Sequence, residues 1–119
     1  MLARAIEYHA RRIKMTLNEI QKEIDNNDIV LFMKGTPAFP QCGFSAHVTS
    51  ILAAEGLSFA THDVLSDDEL RANIKKFSDW PTIPQLYVRG EFIGGADIVH
   101  EMYDSGELSR VLQPQGYGF

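Results

Sequence analysis

Cys42 is the one cysteine in a 119-residue chain, and it stands in Cys42-Gly43-Phe44-Ser45. Two cysteines at that spacing would make a dithiol redox centre, but here the second position carries a hydroxyl. A dithiol closes an internal disulfide. A lone thiol does not, so any covalent chemistry of Cys42 takes its second sulfur from another molecule. Pro40-Gln41 and Gly43 mark a loop tip rather than a core position, and a helix is expected to start directly after it. The unpaired N–H groups of a helix start favour an anion, which predicts a lowered thiol pKa, with Lys34 able to add positive charge. Ser45 can hydrogen-bond the thiolate but cannot join it covalently. Phe44 reads equally as core or as an exposed apolar contact.

Other residues carry binding chemistry. Ile83-Pro84 invites a cis peptide bond, which would turn the Ile83 N–H and C=O sideways toward an extended peptide. About one X–Pro bond in twenty is cis, so the pattern alone leaves this open. Gly94-Gly95-Ala96-Asp97 precedes a helix whose first N–H groups can hold a carboxylate. A plain tight turn is the simpler account of the two glycines. Lys34 and Arg71 are candidate partners for a second carboxylate, against the simpler reading of solvated surface cations. His9, His47, His62 and His100 show no metal-ligand spacing and are expected to be ordinary surface or half-buried residues. Neither a Ser-His-Asp grouping nor a phosphate-binding glycine loop is visible.

The elements that must position these residues follow from periodicity. Thr16-Leu17-Asn18-Glu19 is a capping box that opens a helix with Leu17, Ile20 and Ile24 at helical spacing. The apolar run 29–33 suits a strand buried on both faces. Gly35 to Pro40 is a loop, and Val48, Ile51 and Leu52 mark the helix after Cys42. Residues 59–64 read as a strand. Ser66-Asp67-Asp68-Glu69 reads as a second capping box before a helix through Leu70, Ile74 and Phe77. Residues 85–88 and 91–93 flank a hairpin turn at Arg89-Gly90. The last helix is expected to bury Ile98, Met102 and Tyr103, with an interruption at Gly106 and a further turn or two over 107–112. The result is an α/β domain with a four-stranded mixed sheet flanked by helices. Its first two strands are parallel through a right-handed crossover, and its last two are antiparallel.

Composition narrows the function classes. Residues 1–15 carry four basic residues against one acidic residue, a net of +3, while 16–119 carry seven against fifteen, a net of −8. An acidic body argues against a nucleic-acid partner. Runs of the roughly 20 apolar residues that a membrane helix requires are absent. A free thiol fits a reducing compartment, here a bacterial cytoplasm or alternatively a mitochondrial matrix. The basic segment is expected to be an extra helical turn or a disordered extension. It is Arg-rich like a mitochondrial transit peptide, but short and without Ser. Met15 is a second possible start. The division expected is a basic extension 1–15, a domain 16–113 and a tail 114–119.

Four segments in order carry a resemblance: Lys34-Gly35-Thr36-Pro37, Pro40 to Ser45, Trp80 to Leu86 and Gly90 to Ile98. Together they resemble the CGFS-type monothiol glutaredoxins over about 17–112. The resemblance implies a thioredoxin-like fold with Pro84 cis and a glutathione site beside Cys42. It implies Lys34 and Arg71 on the glycine carboxylate and the Ile83 backbone on the cysteinyl unit. It places Ala96 and Asp97 on the γ-glutamyl end, with Phe44, Thr82, Pro84 and Gly95 also in the site. Many relatives have a second cysteine after the paired glycines, where this chain has Ala96.

Two functions follow from the resemblance and the ligand count. A [2Fe–2S] cluster usually takes four protein-side sulfur ligands. Two chains offer two, and two glutathione thiolates would complete the set, which implies a cluster-bound homodimer passing its cluster to apo iron–sulfur proteins. The alternative is a glutathione-dependent thiol–disulfide oxidoreductase. A BolA-type partner is a third, adaptor-like possibility.

Overall fold

The strand Ile29–Met33 (β1) is apolar at all five positions, and all five side chains are buried. The reason is its place in the sheet. The computed structural model describes residues 14–113, and β1 is flanked there by Ala60–Asp63 (β2), parallel, and by Gln85–Val88 (β3), antiparallel. Glu91–Gly94 (β4) completes the order β2-β1-β3-β4 on the far side of β3. The four-stranded mixed sheet and its strand directions match the reading of the sequence.

Side-chain alternation along β1 then separates two cores. Ile29, Leu31 and Met33 pack with Val48, Ile51 and Leu52 of helix α2 (Gly43–Ala54), with Val99 of α4 (Ala96–Ser105) and with Leu108 and Leu112 of α5 (Glu107–Leu112). Val30 and Phe32 face the other way, against Ile20 and Ile24 of α1 (Leu17–Asn26) and Leu70 and Ile74 of α3 (Asp68–Ser78). Phe32 is wholly buried and meets Tyr87 edge-on at 5.7 Å. Truncating such a ring to alanine costs about 3–5 kcal/mol.

Local chemistry sets the element ends. The Thr16 capping box forms as expected, with Glu19 N–H donating to Thr16 Oγ1 at 3.2 Å. The second box does not form. The N-cap of α3 is Asp67, not Ser66, and its carboxylate accepts the Leu70 N–H at 3.0 Å and the Met15 N–H at 2.8 Å. The two carboxylate oxygens take one donor each, and Ser66 instead donates to the Asp63 carbonyl. Arg89 and Gly90 both take positive φ, +46° and +85°, as a two-residue hairpin turn requires.

Two expectations about buried faces change. Leu17 is exposed, so the buried stripe of α1 is Ile20 and Ile24. On α4 the core residue is Val99, supported by Met102, while Ile98 and Tyr103 are exposed. Ile98 lies over the turn into the helix, where a Cβ on Gly94 would come within 2.9 Å of it. The basic segment to residue 13 and the tail 114–119 lie outside the described residues. Met15 is buried, and its carbonyl accepts from Asn73 Nδ2 at 2.9 Å.

Candidate functional site

Cys42 is the N-cap residue of α2, in extended conformation, with its carbonyl accepting the Ala46 N–H at 2.9 Å. As a thiol, its sulfur makes no cap hydrogen bond. The cap position nevertheless governs its acidity. The Ser45 N–H is the largest influence and holds the thiol below its ordinary 9.0. Partial burial opposes this, and the Phe44 N–H, the Lys34 charge and the Ser45 hydroxyl add to the lowering. An anion at an N-cap accepts from the second and third helical N–H groups, here Phe44 and Ser45.

The loop before Cys42 is held from three sides. Ser45 is fully buried, and its hydroxyl accepts the Lys34 N–H at 3.1 Å. Asp63, at the end of β2, accepts the Gly35 N–H at 2.9 Å. The Gln41 N–H closes the loop on the Lys34 carbonyl at 2.9 Å. Gly35 has φ +88°, and a Cβ there would lie 2.5 Å from the Phe39 carbonyl oxygen, so only glycine fits.

The opposite wall begins with Trp80 to Pro84, where the Ile83–Pro84 bond is cis. Buried Gln85 anchors this stretch, donating to the Trp80 and Thr82 carbonyls at 3.2 and 3.1 Å and accepting from Tyr87 Oη. Among the described residues, no loop or side-chain hydrogen bond engages the Ile83 main chain. The wall ends at Gly95, the N-cap of α4, which has no side chain to satisfy the N–H groups behind it.

One cavity of about 490 Å³ lies between these walls. All ten residues singled out from the sequence line it: Lys34, Cys42, Phe44, Arg71, Thr82, Ile83, Pro84, Gly95, Ala96 and Asp97. Phe44 is 63% exposed, which settles it as a surface contact. Lys75, Trp80, Pro81 and Ile98 line the cavity too and were missed. Lys75 carried a usable signal, since it follows Arg71 by four residues on α3 and so shares its face. The cavity thus has three cations on the β1 and α3 side and an uncapped helix start with Asp97 on the α4 side. Among the described residues no group of three or more His, Cys, Asp or Glu is placed to share a metal ion.

Comparison with known proteins identifies the family. The glutaredoxin family profile matches residues 29–93. A Rickettsia conorii protein named "Probable monothiol glutaredoxin 2" is 55% identical over 79% of this chain and 88% of its own length. "Monothiol glutaredoxin-5, mitochondrial" of Schizosaccharomyces pombe is 52% identical over 82% and 69%. Among solved structures, a monomeric truncated mutant of Trypanosoma brucei 1-C-Grx1 superposes with a TM-score of 0.76 at 42% identity, covering 82% of this chain and 89% of that one. A buckwheat glutaredoxin–glutathione complex superposes at 0.71 with 25% identity, covering 81% and 86%. With half its residues shared along most of its length, and one thiol to work with, this chain belongs to the glutaredoxin family, among the monothiol glutaredoxins.

Proposed function

We propose that this protein binds glutathione in the cavity beside Cys42 and, as a pair of subunits, carries a [2Fe–2S] cluster for delivery to apo iron–sulfur proteins. The observation that carries the reading is a single acidified thiol facing a cavity that offers anion-binding groups on both sides. Glutathione has a carboxylate at each end and a thiol in the middle. Lys34, Arg71 and Lys75 suit its glycine carboxylate. The free Ile83 main chain suits its cysteinyl unit. The first N–H groups of α4 suit the γ-glutamyl carboxylate, with Asp97 near its ammonium group.

The donor set also fits the cluster. Each subunit supplies Cys42 Sγ, and each bound glutathione supplies a second thiolate, which makes four sulfurs per homodimer. The cluster would supply the iron–sulfur chemistry, and half of its outer sulfur ligands would belong to glutathione that the protein holds noncovalently, which suits transfer. Residues 16–113 form the working domain in this reading. A bacterial cytoplasm, or alternatively a mitochondrial matrix, is the proposed compartment, and no described helix is long and apolar enough to cross a membrane. A BolA-type protein is a candidate partner in place of one subunit.

The lowered Cys42 pKa favours a second activity, glutathione-dependent disulfide reduction. The Cys42 thiolate attacks the glutathione sulfur of a protein–glutathione disulfide and releases the protein thiolate. A second glutathione thiolate then attacks the Cys42-bound glutathione, giving glutathione disulfide and free Cys42.

Anaerobic reconstitution with iron, sulfide and glutathione tests the main reading. A coloured dimer that requires glutathione supports it. A colourless monomer with rapid mixed-disulfide turnover leaves the oxidoreductase alone. A stable cluster formed with every small thiol excluded overturns the ligand count.

A further inference from the structure

Trp80 is the one tryptophan of the chain, and it lines the cavity. Its main chain is anchored on both sides. The Trp80 N–H donates to the Ser78 hydroxyl at 3.1 Å, and the Trp80 carbonyl accepts from Gln85 Nε2 at 3.2 Å. The ring leans on Phe92, with centroids 5.9 Å apart. Among the described residues the hydrogen bonds of Trp80 are all made by its main chain, which leaves the indole Nε1–H for another acceptor.

The position of that donor is what matters. Gly95 is the N-cap of α4 and has extended backbone. An N-cap side chain ordinarily accepts from the second and third helical N–H groups, here those of Asp97 and Ile98. Gly95 has no side chain, but a Cβ on it would mark where one begins. That point lies 3.7 Å from Trp80 Nε1 and 3.4 Å from the Pro84 carbonyl oxygen. A carboxylate that takes the place of the cap therefore comes within hydrogen-bond reach of the indole as well as of the helix start.

We propose that Trp80 is a binding residue whose indole N–H donates to the same ligand carboxylate that takes the first N–H groups of α4. The inference rests on the glutathione reading and names a group that reads one end of the peptide. The γ-glutamyl end carries a carboxylate and an ammonium group on one carbon. Beside Gly95 the protein offers one neighbour of each kind. The indole N–H attracts an anion, while the Pro84 carbonyl repels one and suits a cation. The pair thus favours an amino-acid terminus over a plain carboxylate. The fixed main chain of Trp80 and the contact with Phe92 hold the donor in place before the ligand arrives, which lowers the ordering cost of binding.

The test uses the full chain, labelled with nitrogen-15, kept reduced and titrated by nuclear magnetic resonance. Two ligands are compared: glutathione, and 4-aminobutanoyl-cysteinyl-glycine, which lacks only the γ-glutamyl carboxylate. A single tryptophan gives a single indole N–H signal. That signal is expected to move downfield with glutathione and to stay in place with the analogue. Trp80→Phe keeps a ring against Phe92 and removes the donor. It should weaken glutathione about 5–10-fold, near the lower end for a hydrogen bond to a charged group because the ring is 42% exposed. Its affinity for the analogue should match the parent's, a split that a merely structural role would not produce. An indole signal unmoved by glutathione while the α4 amides shift overturns the proposal on the parent protein alone. So does a Trp80→Phe variant that folds and weakens both ligands equally. A parent in which glutathione moves no signal at all removes the glutathione reading and this inference with it, a result distinct from the other two.

Discussion

The two faces of the sheet start their helices differently. On the face of α1 and α3, side chains cap both starts: Thr16 accepts from Glu19, and Asp67 from Leu70. On the face of α2 and α4, the N-cap residues are Cys42 and Gly95, and neither makes a side-chain cap bond. A good cap stabilises a protein by about 1 kcal/mol. The capped face uses that stabilisation for the fold. The uncapped face leaves its helix-start N–H groups directed to one cavity, where a thiolate or a carboxylate can take them. The difference separates a side-chain-capped half from an open half within about a hundred residues, although the capped half still lends Arg71 and Lys75 of α3 to the cavity.

The largest effect is expected from Cys42→Ser. Cluster assembly and mixed-disulfide formation are lost entirely, as reconstitution and mass spectrometry would read. Serine is a favoured N-cap, so urea unfolding should show a gain of about 0.5–1 kcal/mol. A marked loss of stability would mean that the thiol already caps α2 and that the two faces are alike. Asp67→Ala is the mirror experiment. It removes the α3 cap and strands the Met15 N–H, for an expected loss of about 2–3 kcal/mol, while glutathione affinity by calorimetry stays unchanged. Affinity falling in step with stability would join the halves that the caps divide.

What the sequence made legible was local. The Thr16 box, the five apolar residues of β1 and the Cys42 to Ser45 motif each act within a few neighbours, and each appears where expected. Nine of the ten candidate residues fall in the four segments that carry the family resemblance, and Arg71 lies outside them on α3. The misses are choices made by tertiary partners. Asp67 displaced Ser66 because Met15, 52 residues away, supplies a second donor. Val99 takes the core position, while Ile98 lies exposed over the turn at Gly94. The loop-holding roles of Asp63 and Gln85 are invisible until β2 and β3 are placed. The hydrogen bond of His47 on α2 with His100 on α4 has no sequence spacing at all, since it arises where two helices pack side by side.

Ser45→Ala should act on both sides of the comparison, by smaller amounts. The Lys34 N–H loses its acceptor in a part-buried setting, which costs about 1–2 kcal/mol. The Cys42 titration moves upward as the hydroxyl's contribution is lost. Unfolding and alkylation rates measured on the same sample would separate the two. Unchanged stability would mean that the loop is held by Asp63 and Gln41 alone.

The smallest effect, and the one that ranks the forces at the thiol, belongs to Lys34→Ala. Only the thiolate is alkylated, so the rate climbs with pH through the Cys42 midpoint, which lies below 9.0 in the parent. Removing a cation destabilises the anion and moves the climb to higher pH. The Ser45 and Phe44 N–H groups outweigh Lys34 and remain in place, so the variant's midpoint should still lie below 9.0. Salt discriminates further. Lys34 acts across partly solvated space, and added salt should shrink the gap between parent and variant, while the helix-start N–H groups, fixed in the backbone beside the sulfur, are screened far less. A variant midpoint at or above 9.0 would make Lys34 the principal source of acidity and reduce the uncapped helix to a bystander. A midpoint that rises only slightly, with a gap that closes in salt, assigns the acidity to the backbone of α2. In that case Lys34→Ala should still raise the glutathione concentration needed for cluster assembly, because its side chain then serves the ligand rather than the thiol.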